Sequence, residues 1–330
     1  MPKYDIITIG SATRDMYMSS DAFQKMKSDN FDTGEALCLP AGSKVLVEDI
    51  YFTTGGDAVN TAVTFAGQGL KTAIICRIGK DLSGMGVRRR LEEMGAKTGF
   101  IEEDSEHKTD YSVIISAQGK RTILSYKGAS AHFDVSNFNF GILKKTKWIY
   151  LSHLSGDSAE LFEPILKRAN DMGVKVALNP GSTQLKMGED MEPLLAYVDI
   201  LFVNQEEASI LTGIDYKKEK DIFEKLDKWV DGIVVMTKGP EGVIVSDGSK
   251  KWEAGIVKEP EFKDRTGAGD AFASGFTTAI IRGQDISSAL QLASTNAAGV
   301  LSKWGANRGL LTKKDSPEIF GKLQIKETKL

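Results

Sequence analysis

Cysteine and histidine are scarce in this chain, which limits the chemistry it can perform. The 330 residues include two cysteines, Cys38 and Cys76, which lie far apart in sequence. That number and spacing fit neither a disulfide framework nor a metal site, so we expect a reducing, cytoplasmic location. The three histidines, His107, His132 and His153, show neither a paired metal-ligand spacing nor a Cys–His pair typical of a catalytic dyad.

Long apolar runs and an excess of one charge are also missing. No stretch approaches the roughly 18 apolar residues that span a membrane, and the first residues lack the pattern of a signal peptide. The formal net charge is -3, with 26% charged and 41% hydrophobic residues, so electrostatics gives no reason to expect a nucleic-acid partner. We therefore expect a soluble protein without nucleic-acid or membrane partners, long enough for one large domain or for a large and a small one.

Two common nucleotide-binding patterns are absent or incomplete. The P-loop pattern G-x-x-x-x-G-K-[ST] does not occur in the sequence. Gly267 and Gly269 resemble part of a dinucleotide fingerprint, but Phe272 occupies its third small-residue position. This segment also lies late in the chain, whereas the fingerprint belongs to a first βαβ unit. The sequence therefore disfavours a dehydrogenase.

The second half of the chain has a regular pattern of strands and helices. Predicted strands at 148–151, 174–178, 198–203 and 233–237 alternate with amphipathic helices, and two long helices follow at about 268–282 and 286–303. Such alternation predicts a mostly parallel sheet that is covered by helices on both faces. The fold class is therefore α/β.

Three strand-like runs in the first half lie outside this pattern, at 44–52, 109–116 and 121–126. Between the last two, Gln118-Gly119-Lys120 predicts a hairpin. Together these runs predict a small separate sheet, which either covers a site as a lid or forms an interface between subunits. The polar segment 20–43 before them is expected to have little core of its own.

The strongest candidate for chemistry is a glycine-rich turn before the first long C-terminal helix. Gly267, Ala268 and Gly269 permit close backbone approach, and the first N–H groups of a helix are unpaired and favour anions. Asp270 lies where the helix begins, and an acid beside an anion site makes sense if it takes a proton from a hydroxyl that attacks a phosphate. The alternative is a tight loop whose Asp caps its own helix.

Further candidate residues open other predicted helices or follow predicted strands. Gly55 and Gly56 precede a helix on which Asp57 and Asn60 share one face, a pair suited to a polyhydroxylated ligand or to a simple capped turn. Asp15 follows the first predicted strand, as a substrate contact or a turn residue. Asn204 and Glu207 lie three residues apart, which suits either a metal site bridged by water or a helix cap.

These stretches occur in the order of the motifs of the ribokinase-like, or phosphofructokinase-B, carbohydrate kinase family, which the whole chain resembles. The N-terminal motif is similar to 55–62 with Gly67, and the C-terminal motif is similar to 264–270 with Ser274-Gly275. Intermediate signatures of the family resemble 178–181, 203–208, 237–239 with Gly242, and 303–306.

The resemblance implies a fold and a reaction. The fold is a three-layer α/β/α sandwich with a central, mostly parallel sheet and a small β-sheet lid from about 11–54 and 98–128, within a single kinase domain, 1–330. The reaction is ATP-dependent transfer of the γ-phosphoryl group to a primary hydroxyl of a small sugar or sugar acid. A nucleoside kinase on the same scaffold is the alternative, and a non-catalytic ligand-binding relative is a third hypothesis.

The resemblance also implies roles for individual residues. It makes Asp270 the base and the N–H groups of Gly267, Ala268 and Gly269 the anion hole. The acceptor is expected at Asp15, Gly55, Gly56, Asp57 and Asn60. ATP and Mg²⁺ are expected at Asn204, Glu207, Thr237, Lys238, Gly239, Gly242, Thr266 and Asn296, with Glu207 holding Mg²⁺ through water.

Three further implications concern a cation, assembly and departures from the family. In some relatives a monovalent cation such as K⁺ binds near the residues that match Asp264, Thr266 and the loop 301–309, and the sequence permits this at Asp264. A homodimer through the lid is expected. Arg265 stands where the family often has Thr or Pro; it either adds charge near the phosphates or points to solvent. The segment 20–43 is longer than usual.

Overall fold

A computed structural model describes residues 2–31, 33–117, 120–258 and 261–330 of the chain. Its strands are β1 (Tyr4–Ile9), β2 (Thr13–Ser19), β3 (Gln24–Lys27), β4 (Glu35–Cys38), β5 (Asp49–Gly55), β6 (Thr72–Gly79), β7 (Lys97–Asp104), β8 (Asp110–Ala117), β9 (Lys120–Tyr126), β10 (Thr146–Leu151), β11 (Lys175–Leu178), β12 (Ile200–Asn204), β13 (Ile233–Thr237), β14 (Val243–Ser246), β15 (Lys250–Ala254) and β16 (Ile325–Lys329). Its α-helices are α1 (Asp57–Gly67), α2 (Leu82–Glu93), α3 (Phe162–Asp171), α4 (Ser182–Leu185), α5 (Glu192–Leu195), α6 (Gln205–Thr212), α7 (Glu219–Trp229), α8 (Ala268–Ile281) and α9 (Ile286–Leu301).

The central sheet has the order β16-β15-β14-β13-β12-β11-β10-β1-β6-β7. The seven strands from β13 to β7 pair in parallel, and β14, β15 and β16 extend the sheet with antiparallel pairing. Neighbouring residues of β1 enter opposite cores: Ile7 packs in the cluster that contains Leu166 and Leu226, whereas Ile6 packs in the cluster that contains Phe276 and Leu290. The predicted three-layer α/β/α architecture is therefore confirmed.

A small sheet with the order β5-β2-β8-β9 stands apart from the central sheet. Its two faces differ, because side chains alternate along each strand. Asp15 and Tyr17 of β2 point inward and are buried, whereas Phe52 of β5 and Leu124 of β9 lie on the outward face and are about half exposed. The predicted pairing of the runs around 118–120 is confirmed by β8 and β9, although the turn residues Gln118 and Gly119 lie outside the described residues.

The structure changes the expected bounds of two segments. Residues 98–104, which the expected lid range included, belong to β7 and pair with β6 at the edge of the central sheet. The strand predicted at 44–52 begins only at Asp49. Residues 44–48 lie where β2 ends and are held by isolated contacts, such as Glu48 N–H to Ser19 O (3.0 Å) and Ser20 Oγ to Leu46 O (2.7 Å).

The segment between β2 and β5 contains the β3–β4 hairpin and one small apolar cluster. Phe23 is 3% exposed and packs with Ile115 and Ala117 of β8. Leu37 and Val45 pack against the same cluster. The segment therefore covers one end of the outward face of the small sheet and leaves the rest of that face open.

No helix among the described residues is both long and apolar enough to cross a bilayer.

Candidate active site

The predicted glycine-rich turn is the N-terminus of α8. Gly267 precedes the helix with φ 80° and ψ 2°, a left-handed conformation that favours glycine. A Cβ at this position would lie 2.3 Å from the carbonyl oxygen of Ala306, so the close approach of two backbones also requires glycine. The N–H of Ala268 donates a long bond to Arg265 O (3.3 Å), and Ala271 N–H makes the first helical bond, to Gly267 O (2.9 Å).

Asp270, in the first turn of α8, is bound by a residue from the other half of the chain. Asn60 Nδ2 donates to Asp270 Oδ2 (2.8 Å) across 210 positions of sequence. Asn307 Nδ2 donates to Asn60 Oδ1 (3.2 Å) and to Thr54 O (2.7 Å), and both asparagines are buried. This chain of amides fixes the carboxylate and joins the two motifs that the sequence singled out.

The electrostatic surroundings of Asp270 favour its protonated form. Desolvation raises the pKa of Asp270 well above its ordinary value, and the nearby carboxylates of Asp57 and Glu207 raise it further, whereas the hydrogen bond from Asn60 opposes the shift. Burial and like charge both disfavour the ionised carboxyl. Asp270 is therefore held as a carboxyl whose affinity for a proton is higher than usual.

Asp57 opens α1 next to a histidine that the sequence did not indicate as a site residue. Burial raises the pKa of Asp57, and His153 and Lys127 oppose the shift. His153 follows β10, and its Nε2 lies 3.2 Å from Thr183 Oγ1. A Cβ at Gly181 would lie 2.2 Å from the imidazole Cγ, so the loop after β11 supports the ring closely. The sequence offered one signal for His153 as a site residue: it lies just beyond the carboxyl end of a predicted strand, where ligands bind in α/β sheets.

The other predicted acceptor residues meet beside Asp57. A Cβ at Gly55 would lie 2.1 Å from Asp15 Oδ2, and one at Gly56 would lie 2.6 Å from Ser11 O. Gly56 also has φ 90°, which favours glycine. Burial raises the pKa of Asp15 to about 7. The structure thus places Asp15, both glycines, Asp57 and Asn60 in one region, as the sequence predicted.

Two cavities lie along the N-terminus of α8. The larger, of about 360 Å³, is mainly apolar, and the smaller, of about 230 Å³, contains Asp270. Thr237, Gly269 and Phe272 line both cavities, so they adjoin at the turn. The larger one is bounded by Gly239, Gly242, Val243, Ile256, Val257, Phe262, Arg265, Ser294, Ala297 and Ala298, among others.

Residues 5–313 match the pfkB family of carbohydrate kinases. The chain belongs to this family. It is 29% identical over 288 residues to the ribokinase of Haemophilus influenzae, covering 84% of this chain and 91% of that protein. It is 35% identical over 156 residues to the cytidine kinase of Thermococcus kodakarensis, covering 46% of this chain and 55% of that protein. The structure of Arabidopsis thaliana ribokinase with ribose and ATP superimposes with a TM-score of 0.77 at 22% identity, covering 95% of this chain and 97% of that one.

The predicted family, fold and enzyme class are therefore confirmed, and the chain is an ATP-dependent sugar or nucleoside kinase.

In this kinase the Asn204 and Glu207 pair forms a capping box at the start of α6. Glu207 N–H donates to Asn204 Oδ1 (2.9 Å), and Asn204 N–H donates to Glu207 Oε2 (2.8 Å). The capping alternative is thus confirmed, yet both residues also line the smaller cavity with Asp270. Burial raises the pKa of Glu207, and its Oε2 accepts the N–H of Asn204 while the residue lines the cavity.

Two residues that the resemblance assigned to the ATP site have their polar groups engaged elsewhere. Lys238 Nζ pairs with Glu219 Oε2 (3.2 Å), and Lys238 is not among the residues that line the larger cavity. Asn296 is fully buried; its Nδ2 donates to Ala271 O and its Oδ1 accepts from Leu311 N–H, each at 2.8 Å. Neither side chain therefore lines the larger or the smaller cavity, and each is held by contacts with other parts of the chain.

The remaining residues of the C-terminal motif have clear positions. Arg265 lines the larger cavity, with its guanidinium 5.5 Å from the ring centre of Phe262. Thr266 Oγ1 donates to Asp264 Oδ1 (3.0 Å) and does not line that cavity. The position beside Asp264, where the resemblance allowed a monovalent cation, is taken by the guanidinium of Arg121 from β9.

Proposed function

We propose that the kinase transfers the γ-phosphoryl group of ATP to a primary hydroxyl of a small sugar or sugar acid. The observation that carries this proposal is the hydrogen bond between Asn60 and Asp270. It holds an acid of raised pKa at the point where the acceptor residues meet the N-terminus of α8. An acid in this position is suited to receive a proton from a hydroxyl that attacks a phosphate.

In the proposed step Asp270 accepts the proton of the acceptor hydroxyl as its oxygen attacks the γ-phosphorus. The bond between that phosphorus and the β–γ bridging oxygen breaks, and ADP leaves with the electron pair. In this proposal the backbone N–H groups of Gly267 and Gly269 stabilise the charge on the transferred group, and the N–H of Ala268 joins them when its long bond to Arg265 O opens. Such a transfer depends on positioning and electrostatic stabilisation more than on covalent chemistry.

The two cavities suit the parts of Mg-ATP. The larger cavity is apolar and suits the adenine ring of ATP. The smaller cavity, which contains Asp270, adjoins it at the turn and suits the phosphates. Glu207, beside Asn204, supplies oxygen donors that fit Mg²⁺ bound through water. Mg²⁺ there would neutralise charge on the phosphates. Thr237, Gly239 and Gly242 line the proposed base cavity.

The alternative acceptor, a nucleoside, requires an apolar or aromatic wall for its base. Two aromatic residues of the chain, Phe133 and Phe138, cannot supply this wall, because they are buried in the hydrophobic core. Phe52 and Tyr111 lie on the outward face of the small sheet. None of these four faces the acceptor residues, whereas Tyr17 and Tyr51 share the inward face of the small sheet with Asp15, so a nucleoside acceptor keeps a candidate aromatic wall. The similarity to cytidine kinase keeps the nucleoside hypothesis as the one to test.

The acceptor is tested by measuring ATP consumption with ribose, fructose, 2-keto-3-deoxygluconate, adenosine, inosine and cytidine. Turnover with a sugar or sugar acid supports the proposal, and turnover confined to nucleosides replaces it with the alternative. A folded protein that binds one of these compounds but turns over none would instead be a non-catalytic relative.

Asp57→Ala is expected to raise the KM for the acceptor about 10- to 100-fold, because the variant loses a charged hydrogen-bond acceptor. The KM for ATP should change little, since Asp57 belongs to the acceptor side. Steady-state kinetics with each substrate varied would measure this, and Asp171→Ala, at the exposed end of α3, is the matched control. A loss confined to ATP affinity would show that the acceptor-binding and ATP-binding regions are assigned wrongly.

We further propose a single kinase domain in which the small sheet is the lid, and a cytoplasmic homodimer formed through its outward face. That face carries four apolar side chains that are each about half exposed, Ile50, Phe52, Leu124 and Tyr126. Contiguous exposed apolar side chains mark interaction surfaces.

Leu124→Glu should therefore shift the protein from dimer to monomer in sedimentation experiments, because it places a charge in the proposed interface. A wild-type chain that sediments as a monomer at high concentration would refute the dimer.

A further inference from the structure

The junction between the small sheet and the turn before α8 contains a basic side chain that the proposed reaction has not used. Arg121 lies on β9, and its Nη1 donates to Asp264 Oδ1 and to Thr266 Oγ1. Asp264 lies 143 positions away in sequence. Both acceptors belong to the loop that immediately precedes Gly267. One guanidinium therefore links the small sheet to the loop that enters the glycine-rich turn at 267–269, here called the anion turn.

The strand register explains why Arg121 points to this loop. Arg121 pairs with Ser116 of β8, which pairs with Ser19 of β2. Since side chains alternate along a strand, Ser19 shares a face with Tyr17 and Asp15. Arg121 is thus on the inward face of the small sheet, the same face that covers the proposed acceptor site.

Asp264 and Thr266 shape the loop that Arg121 contacts. Asp264 Oδ1 accepts from the N–H of Thr266 (3.2 Å) and from its Oγ1 (3.0 Å). These bonds fold the chain just before Gly267 enters its left-handed conformation. A displacement of Arg121 would therefore affect the residues that set the direction of the N–H groups of the turn.

The charges at this junction require a cation. Asp264 on the loop and Asp15 on the small sheet are each 4% exposed. Burial raises the pKa of Asp15 to about 7, and the charge of Asp264 also acts to raise it, whereas a hydrogen bond with Ser112 and the charge of Arg14 act to lower it. Bringing two buried acids together is costly unless a positive charge accompanies them. No other basic side chain that the structure describes is paired with Asp264.

We infer that Arg121 is a positioning residue that latches the small sheet over the acceptor and fixes the loop before the anion turn. Its permanently charged guanidinium suits this task, because its Nη1 contacts oxygens of both Asp264 and Thr266. The kinetic consequence rests on the proposed function. Because Arg121 holds the small sheet and the loop together, covering of the acceptor by the sheet and ordering of the anion turn occur in one step. Because Arg121 brings the charge that Asp264 requires, the wild-type enzyme should need no added K⁺.

Kinetics of Arg121→Ala test the inference with the acceptor that the panel identifies. We expect kcat/KM for that acceptor to fall roughly 10- to 100-fold, the scale of a small misplacement of reacting groups, with little change in ATP affinity measured without acceptor. Millimolar guanidinium chloride should restore part of the loss, and Arg121→Lys should retain part of the activity. Arg89→Ala, which removes an exposed ion pair with Glu93 on α2, should match the wild type.

Full activity of Arg121→Ala, or a loss that neither guanidinium nor lysine relieves, would overturn the inference.

Hydrogen–deuterium exchange without ligands gives a second test that does not depend on turnover. The amides of 110–117 and 120–126 should exchange faster in Arg121→Ala than in the wild type or in Arg89→Ala. Equal exchange in all three proteins would refute the latch even if the enzyme is a kinase. Conversely, absence of phosphoryl transfer by the wild type would refute the proposed function, while faster exchange in the variant would still support the latch.

Discussion

Asp270→Asn is expected to lower kcat roughly 10²- to 10⁴-fold, the usual contribution of a positioned general base. Asparagine has almost the same shape but cannot accept the hydroxyl proton. ATP affinity should change little, because the larger cavity and the backbone of the turn remain. The variant should also fold at least as stably as the wild type, since it removes a buried carboxyl that is costly to ionise. Steady-state kinetics, ATP titration and thermal unfolding measure the three quantities.

The pH dependence provides the control for this result. A base works only when it is deprotonated, and the surroundings of Asp270 raise its pKa above the ordinary carboxyl value. The kcat/KM of the wild type should therefore fall as the pH drops through that raised pKa. The residual activity of Asp270→Asn should lack this acid limb. A variant with an unchanged rate and the same pH profile would remove Asp270 from the role of base.

Gly267→Ala has the second largest expected effect. The new methyl group would meet the backbone of Ala306 at 2.3 Å, and the residue would keep φ near 80°. Either the turn shifts or the loop that holds Ala306 moves, so the N–H groups lose their direction. We expect kcat to fall roughly 10²- to 10³-fold, as for the loss of an oxyanion-hole donor.

Gly213→Ala is the control that separates the effect of backbone strain from the effect of a steric clash with Ala306. Gly213 ends α6 in a similar left-handed conformation, with φ 69°, but a Cβ there would meet nothing within 4 Å. This variant should lose about 1–2 kcal/mol of stability from the backbone conformation alone and keep its kcat. If both variants lost activity equally, or neither did, the close packing of Gly267 against Ala306 would have no catalytic role.

Much of the fold could be predicted because its signals are local in sequence. The alternation of strands and helices after residue 147 indicated the parallel sheet, and the two C-terminal helices were expected within two residues of α8 and α9. The strand at the edge of the central sheet was less predictable. Residues 98–104 have no clear alternation of apolar and polar side chains, and only their pairing with β6 assigns them to the central sheet.

The candidate site was predictable where glycine or capping patterns mark a helix start. Asp57 opens α1 and Asp270 lies in the first turn of α8, each directly after a glycine, so the sequence indicated both regions. Asn307, His153 and Arg121 were missed, because their roles depend on contacts with residues far along the chain. Asn296 and Lys238 were assigned to ATP by resemblance, and the structure shows that their side chains make internal contacts.

The most direct test of the central claim is transfer from ATP labelled in its γ-phosphoryl group to the acceptors of the panel, with wild type and Asp270→Asn compared side by side. The account predicts a labelled sugar phosphate from the wild type and almost none from the variant, although both bind ATP equally. Equal amounts of labelled product from the two proteins would contradict it.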